Sequence, residues 1–215
     1  MPSLVPEPTE PAPPRPAPAR LEKVPAHTDW LYHHLTVTGP ADRLASFRRA
    51  AAGAGVIPWH LDLDRLEEDW FLMLAAPRSG PARTLSLDGA RLLATALRAA
   101  VARRHTLAIA QVGRSAACCF DLHALLPVPS EVLRLGPDHP EALAWLWTHW
   151  GTTDALRSVV GRQASVAREK AESDGRQVFA VSFWAADWTP WRALETIRAG
   201  WPGLRFAVRP IYALP

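Results

Sequence analysis

The chain has 215 residues, of which 48% are hydrophobic and 21% are charged. These values are ordinary for a globular protein with one sizeable core, and no apolar run approaches the roughly 20 residues that cross a bilayer, so we expect no membrane partner. The formal net charge of +3 is too small to argue for nucleic-acid binding by itself.

The first segment of the chain is rich in proline. Residues 2 to 25 contain nine prolines and few apolar side chains, so packing would not offset the entropy lost on ordering them. We predict a disordered Pro-rich tail over residues 1–28 and a single domain over residues 29–215. The segment after Met1 has no apolar core of a secretion signal, and we expect a cytoplasmic protein. Abundant arginine, alanine and proline suggest a GC-rich bacterial genome.

A strand and a helix open the predicted domain. In LYHHLTVTG, Leu35 and Val37 alternate with polar residues such as His34, which is the period of a half-buried strand. The segment GPADRLASFRRAAAGAG then places Pro40 at a helix start and Phe47 on the buried face.

Two further helices are predicted over residues 63–75 and 86–105, and we treat about 56–105 as a two-helix insertion. In the second helix, Leu93, Leu97 and Ala100 are predicted to form a core stripe. Residues 56–77 hold five acidic residues against one arginine, and residues 78–114 hold seven arginines against one aspartate. We expect these opposite charges to face each other within the fold or to lie on solvated helix faces, rather than to form a recognition patch.

The segment CCFDLHALLPVP is predicted to be a strand. Phe120 and Leu122 alternate with Asp121 and His123, and Pro127 ends the pattern because proline cannot donate to a sheet.

A tryptophan-rich helix follows in HPEALAWLWTHWGTT. Leu143, Leu146, Trp147 and Trp150 lie at helical spacing and are predicted to pack together on one face. Gly151 is predicted to adopt the left-handed conformation that closes the helix.

A strand, a helix and a strand complete the chain. In VFAVSFWAADW, Phe179 and Phe183 are predicted to lie on the core side. In TPWRALETIRAGWPG, Thr189 is predicted to be the N-cap and Pro190 the first helical residue. The segment LRFAVRPIY alternates as a final strand.

With the inserted helices set aside, the order of elements predicts an α+β, ferredoxin-like fold. Such a fold has an antiparallel four-stranded sheet with helices on one face. The segments LTVTGPADRLASF, FDLHALLPVPSEVL, WLWTHWGTTDAL and FAVSFWAADWTPWRALETIRAGWPGLRFAVRPIY resemble successive motifs of the YubB-type ferredoxin-like domain of phage and plasmid proteins. The residues that match the family's tryptophan and turn motifs are Trp147, Trp150, Gly151, Thr152, Trp188, Thr189 and Pro190.

The sequence also departs from that family. Thr153 stands where the family usually has lysine, Asp154 where it has tryptophan, and Trp191 where it has a second proline. The resemblance implies a fold and a mobile-element association but no established activity, so it supplies no catalytic residue.

Six residues form the candidate site, a polar face of the sheet that would bind an anion or another polar ligand. They are His34, Asp121, His123, Trp184, Arg205 and Arg209. A partial metal site of His34, Asp121 and His123 lacks a closely spaced ligand pair. A nucleophilic Cys118 or Cys119 beside His123 is disfavoured because apolar burial raises a thiol pKa. We expect no cofactor, since no phosphate-loop, nucleophile-elbow or zinc-ligand motif is present.

Three classes of function stay open. The leading interpretation is a non-enzymatic binding or accessory module whose partner is another protein. The second is single-stranded nucleic-acid binding on the sheet through Trp184, Arg205 and Arg209, which is not favoured because the aromatic residues of the strands fall mostly on the core side. The third is a small enzyme that uses histidine acid–base chemistry.

Overall fold

The computed structural model describes residues 29–76, 85–162 and 176–212, so the predicted Pro-rich tail lies outside the described residues. The protein is α+β, with one four-stranded antiparallel sheet and, over these residues, seven helices. The elements are, in chain order, β1 (Trp30–Gly39), α1 (Ala41–Ala51), α2 (Leu63–Ala75), α3 (Leu87–Ile109), α4 (Leu122–Leu125), α5 (Ser130–Leu135), α6 (Pro140–His149), β2 (Arg157–Gly161), β3 (Gln177–Ala186), α7 (Trp191–Gly200) and β4 (Arg205–Ile211). No helix within these ranges is long and apolar enough to cross a membrane.

The sheet has the strand order β2-β3-β1-β4, with β1 and β3 at its centre. All ten residues of β1 pair with β3, from Trp30 opposite Ala186 to Gly39 opposite Gln177. The other edge of β1 pairs with β4. Strand β2 pairs with β3 at the far edge through an irregular register.

The core lies between the helices and one face of the sheet. We call this face of the sheet the closed face. Leu35 and Val37 of β1 are at most 1% exposed. The Phe47 ring of α1 sits at the centre of this layer, with its centroid 5.3 to 6.5 Å from the rings of Phe120, Phe179, Trp201 and Phe206. The sequence predictions for β1, α1, β3 and β4 are therefore confirmed.

The prediction of a strand in CCFDLHALLPVP is wrong. Cys118 forms an isolated bridge with Gly53, and the chain then enters the short helix α4. The Asp121 carboxylate accepts a hydrogen bond from the His123 N–H at 2.9 Å, which caps α4. This local side-chain bond competes with strand pairing and favours a turn of helix. The second strand of the sheet is instead β2, in the stretch before β3 for which the sequence analysis predicts no strand.

The tryptophan helix α6 is present, but only part of its predicted packing is correct. Leu146 and Trp150 are fully buried, whereas Trp147 is 48% exposed, so the prediction for Trp147 is wrong. Gly151 has a φ of 75°, which confirms the left-handed conformation predicted for it. Thr189 does not cap α7, because Pro190 holds the N-cap position and no side chain caps that helix.

The two inserted helices, α2 and α3, form an antiparallel hairpin. Arg91 pairs with Glu68 at 2.8 Å, and Arg98 pairs with Asp64 at 2.6 Å, so the predicted facing of opposite charges is confirmed. The predicted core stripe of α3 is wrong, since Leu93 is 40% exposed and Leu97 is 36% exposed.

Candidate functional site

The candidate site is the face of the sheet that turns away from the core, which we call the open face. Successive side chains of a strand point to opposite faces, so the residues that alternate with Leu35 and Val37 share the open face. Cross-strand pairing aligns them: Tyr32 lies opposite Trp184, and His34 lies opposite both Ser182 and Arg209. The register therefore brings Tyr32 beside Trp184, which lies 152 positions later in the chain (184 − 32), on one surface.

An aromatic cluster occupies the centre of this face. The rings of Tyr32 on β1 and Trp184 on β3 are 5.0 Å apart, centroid to centroid, with planes tilted by 46°. The His34 ring meets Tyr32 edge to face at 5.2 Å. All three side chains are half-buried, so each keeps a ring surface accessible to a flat ligand. Tyr32 is absent from the sequence-predicted site, although it lies two residues before His34 and continues the same alternation.

Arginines surround the aromatic cluster on both sides. Arg205 and Arg209 lie on the edge strand β4, and both are exposed. At the opposite edge, Arg162 follows β2, and its N–H donates to the Ala180 carbonyl at 2.8 Å. Among the described strand residues of the open face, none is acidic. Over the described strands, the rim of this face is therefore positively charged.

A further aromatic residue of the open face, Trp30, is already covered by an arginine. The Arg157 guanidinium lies 4.1 Å from the centroid of the Trp30 ring, and Arg157 also pairs with Asp154 at 2.7 Å. Trp30 is 8% exposed. This stacked pair closes one end of the face, and the rings of Tyr32, His34 and Trp184 stay accessible.

The charge state of His34 is set by its surroundings. Partial burial lowers the pKa of His34, and the positive charges of Arg162 and Arg209 lower it further. A neutral imidazole is therefore favoured at neutral pH. It can stack or accept a hydrogen bond, but it adds no charge to the rim.

Asp121 and His123 do not belong to this face, so the predicted six-residue site is divided. Asp121 is 7% exposed and accepts from the Gly55 N–H at 2.8 Å as well as from His123. The Nδ1 of His123 accepts from the Val128 N–H at 3.2 Å. Both side chains lie on the helix side of the sheet, in the layer of Phe120. Their polar atoms hold the backbone of the 53–55 and 121–128 turns, and this is a structural role.

The other predicted chemistries find little support in the geometry. No group of three or more His, Cys, Asp or Glu side chains in the described ranges is placed to hold a metal ion. Burial raises the pKa of the Cys118 thiol to about 11 and also raises that of Cys119. Both thiols are therefore protonated at neutral pH, which makes them poor nucleophiles.

Most of the motif residues at the end of the sheet are buried and make hydrogen bonds within the fold. The Nε1 of the buried Trp150 donates to the Leu126 carbonyl at 3.2 Å, and the Thr152 hydroxyl donates to the Ala186 carbonyl at 2.8 Å. Thr189 shares a 2.8 Å hydrogen bond with Nε2 of His33. Trp188, by contrast, is 52% exposed.

No protein-family model and no curated protein matches the sequence. One solved structure with a similar course of the chain is the crystal structure of a protein api92 from Yersinia pseudotuberculosis, of the family model DUF1281. The similarity covers 85% of this chain and 90% of that chain, with a TM-score of 0.42 and 11% identity. Similarity at this level carries no information about a ligand.

Proposed function

We propose that this protein binds single-stranded nucleic acid on the open face of its sheet. The observation that carries the proposal is the adjacent pair of half-buried rings, Tyr32 on β1 and Trp184 on β3, inside an arginine rim. Four-stranded sheets that read single strands stack bases on aromatic side chains of their strands. The objection that strand aromatics lie on the core side does not apply to this pair.

Each part of the face has a role in this proposal. Bases stack on Tyr32 and Trp184, a contact worth about 1–3 kcal/mol per base and tolerant of sequence. The exposed Arg205 and Arg209 contact phosphates from one edge, and Arg162 does so from the other. Arginine suits this role because its planar guanidinium bonds phosphate oxygens in pairs. Neutral His34 between them offers a further flat surface.

The proposal also includes the ferredoxin-like type of the fold and the family of the chain. The order β2-β3-β1-β4, with α1 directly after β1 and α7 directly before β4, supports a ferredoxin-like domain with α2 and α3 as its insertion. The quoted motifs support membership of the YubB-type group and a mobile-element origin. A cytoplasmic location would suit a nucleic-acid ligand.

The test is fluorescence anisotropy with labelled 12-nucleotide single strands of DNA and RNA, and a duplex for comparison, at low and physiological salt. Tyr32→Ala and Trp184→Ala are expected to weaken single-strand binding about 5- to 150-fold, which corresponds to the loss of one stacked base. Trp188→Ala is the matched control, because Trp188 is exposed but lies beyond the end of β3. Absence of single-strand binding, or equal loss in all three variants, would contradict the proposal.

A second candidate is binding of another protein by the Trp-rich edge where α6 meets α7. Trp147, Trp188 and Trp191 are 44% to 52% exposed, and exposed tryptophan is typical of binding hot spots. A groove of about 480 Å³ lies at this edge, lined in part by Trp145, His149 and Arg192. This candidate predicts that Trp188→Ala affects partner binding while Tyr32→Ala does not.

A further inference from the structure

Two exposed tryptophans stand where β3 passes into α7. Trp188 is 52% exposed and Trp191 is 44% exposed, although tryptophan is highly buried on average in folded proteins. The backbone between them forms a short turn, in which the Trp191 N–H donates to the Thr189 carbonyl at 2.7 Å and Pro190 is the N-cap of α7. Two accessible indoles are therefore carried by one turn, which we call the indole turn.

The end of α6 meets the indole turn. A Cβ placed on Gly151 would lie 3.4 Å from the backbone nitrogen of Trp191, and the Ala193 N–H donates to the Trp150 carbonyl at 3.2 Å. Trp147, which is 48% exposed, lies one turn earlier on α6, and its carbonyl accepts from the Gly151 N–H at 3.1 Å. The backbone thus brings a third exposed indole to the same end of the molecule.

The Pro-rich segment of residues 1–28 joins the domain beside the indole turn. Asp29 is the first residue that the structure describes, and its carbonyl accepts from the Asp187 N–H at 2.7 Å. Trp188 directly follows Asp187 in the chain. The attachment point of the Pro-rich segment therefore lies one residue away from the first exposed indole.

The Pro-rich segment contains a repeat that fits an aromatic surface. Pro8, Pro11 and Pro14 recur every three residues. A polyproline II helix has three residues per turn, so this conformation would place the three rings on one edge. Residues 1–28 hold three acidic and three basic residues, so the segment has no excess charge that would call for a charged surface. Pro-rich segments dock on aromatic-lined surfaces because the polyproline II helix is ordered at little entropic cost.

We propose that the Pro-rich segment binds the indole turn of its own chain, with Pro8, Pro11 and Pro14 against Trp188 and Trp191. The connection from Pro14 to Asp29 has 15 residues (29 − 14) and extends up to about 47 Å at about 3.1 Å per residue. It begins beside Trp188, so this length is ample for the repeat to fold back onto the turn. The proposal does not rest on nucleic-acid binding by the open face.

The attachment point favours the segment of the same chain over other Pro-rich ligands. A short tether gives its ligand an effective concentration of about 1 mM. At that concentration an intrinsic Kd as weak as about 0.1 mM keeps the turn occupied in about nine molecules of ten. A Pro-rich partner, or the segment of a second copy, would need a similar free concentration to displace it. The segment would thus compete with any protein that binds the Trp-rich edge.

Fluorine NMR of the full chain, with fluorotryptophan in place of tryptophan, tests the proposal. The signals of Trp188 and Trp191 are identified by their loss in Trp188→Phe and Trp191→Phe. We expect the double variant Pro11→Ala, Pro14→Ala to shift both signals, because it removes two of the three rings that would cover the indoles. Unshifted signals in this variant would overturn the proposal.

A matched control changes the same number of prolines outside the repeat. The double variant Pro2→Ala, Pro25→Ala should leave the signals of Trp188 and Trp191 unchanged. The signal of Trp150, which is fully buried, reports in every variant that the core is intact. Equal shifts in the two double variants would overturn the proposal, since the repeat would then have no special role.

A synthetic peptide of residues 6–18, added to the full chain, shows whether the contact lies within one molecule. With the tethered segment competing at about 1 mM, the unmodified chain should bind the peptide about tenfold more weakly than Pro11→Ala, Pro14→Ala does, for an intrinsic Kd of about 0.1 mM. Equal affinity would overturn the proposal. Indole signals that move with protein concentration would do so too, by assigning the segment to a second copy. Nucleic acid takes no part in these measurements, so their failure is distinct from failure of single-strand binding.

Discussion

The closed and open faces of the sheet are built from the same strands and differ in almost every physical property. On β1, His33, Leu35 and Val37 are at most 1% exposed, whereas Tyr32, His34 and Thr36 between them are partly exposed. The strand side chains at the centre of the closed face are apolar, and His33 is the buried polar side chain of β1. The open face carries accessible rings and arginines. A residue's contribution to stability or to binding therefore changes from one position to the next.

The neighbouring histidines illustrate this difference. His33 is buried against Phe183, with ring centroids 5.2 Å apart, and bonds Thr189. His34 lies on the open face beside Tyr32. Burial is the main reason for the low pKa of both, but only for His34 do nearby arginines add to it. One histidine belongs to the core and the other to the open face.

The largest expected effect is on the closed side. Trp150→Ala should lower the free energy of unfolding by about 3–5 kcal/mol, because it leaves a cavity and removes the bond to the Leu126 carbonyl. Trp147→Ala in the same helix is the control, with an expected loss of about 1 kcal/mol because half of its surface is already exposed. Chemical denaturation measures both. Equal losses would show that the two indoles are not differently packed.

An intermediate effect concerns His33 and pH. Burial lowers the pKa of His33 to about 4, so between about pH 6.5 and pH 4 the unfolded chain binds a proton that the folded chain does not. The stability of the unmodified protein should therefore fall, relative to His33→Gln, by up to about 1.4 kcal/mol per pH unit as the pH decreases through this window. The difference should be constant above pH 7. Parallel unfolding curves for the two proteins would contradict the buried neutral state.

The smallest expected effect on stability is on the open side. Arg205→Ala and Arg209→Ala should each change the free energy of unfolding by less than about 0.5 kcal/mol, because both side chains are exposed. Their effect should fall on binding instead: each lost phosphate contact should reduce the salt slope of single-strand affinity by about 0.7. A large loss in the free energy of unfolding of either variant would show that these arginines stabilise the fold. The open face would then not differ from the closed face in this respect.

Local periodicity was sufficient to predict much of this fold. Strands β1 and β4 alternate over ten and seven residues, and α1 buries Leu44 and Phe47 as its spacing indicates. Such patterns indicate that one face of the element is buried. The prediction is dependable for a long element because many residues follow the same period. The same alternation correctly placed His34, Trp184, Arg205 and Arg209 on one face.

Short elements were not predictable in this way. Strand β2 has five residues, none of them buried, so it carries little hydrophobic pattern and exists because β3 offers it an edge. The alternation in CCFDLHALLPVP is equally short. Whether this segment forms a strand or a turn of helix depends in part on a distant contact. The Asp121 carboxylate accepts a hydrogen bond from the N–H of Gly55, which lies 66 positions earlier in the chain.

The sequence by itself determined the α+β composition, the long strands and helices, and which side of each long strand is apolar, because these follow from repeated local signals. The tertiary structure decided that Tyr32 and Trp184 lie side by side, that Asp121 and His123 lie behind the sheet, and that Leu93 and Leu97 stay uncovered. Each of these depends on which distant segment fills a neighbouring position. The periodicity of a segment predicts which side of the strand or helix is apolar. Which other segment covers that side is decided by tertiary packing.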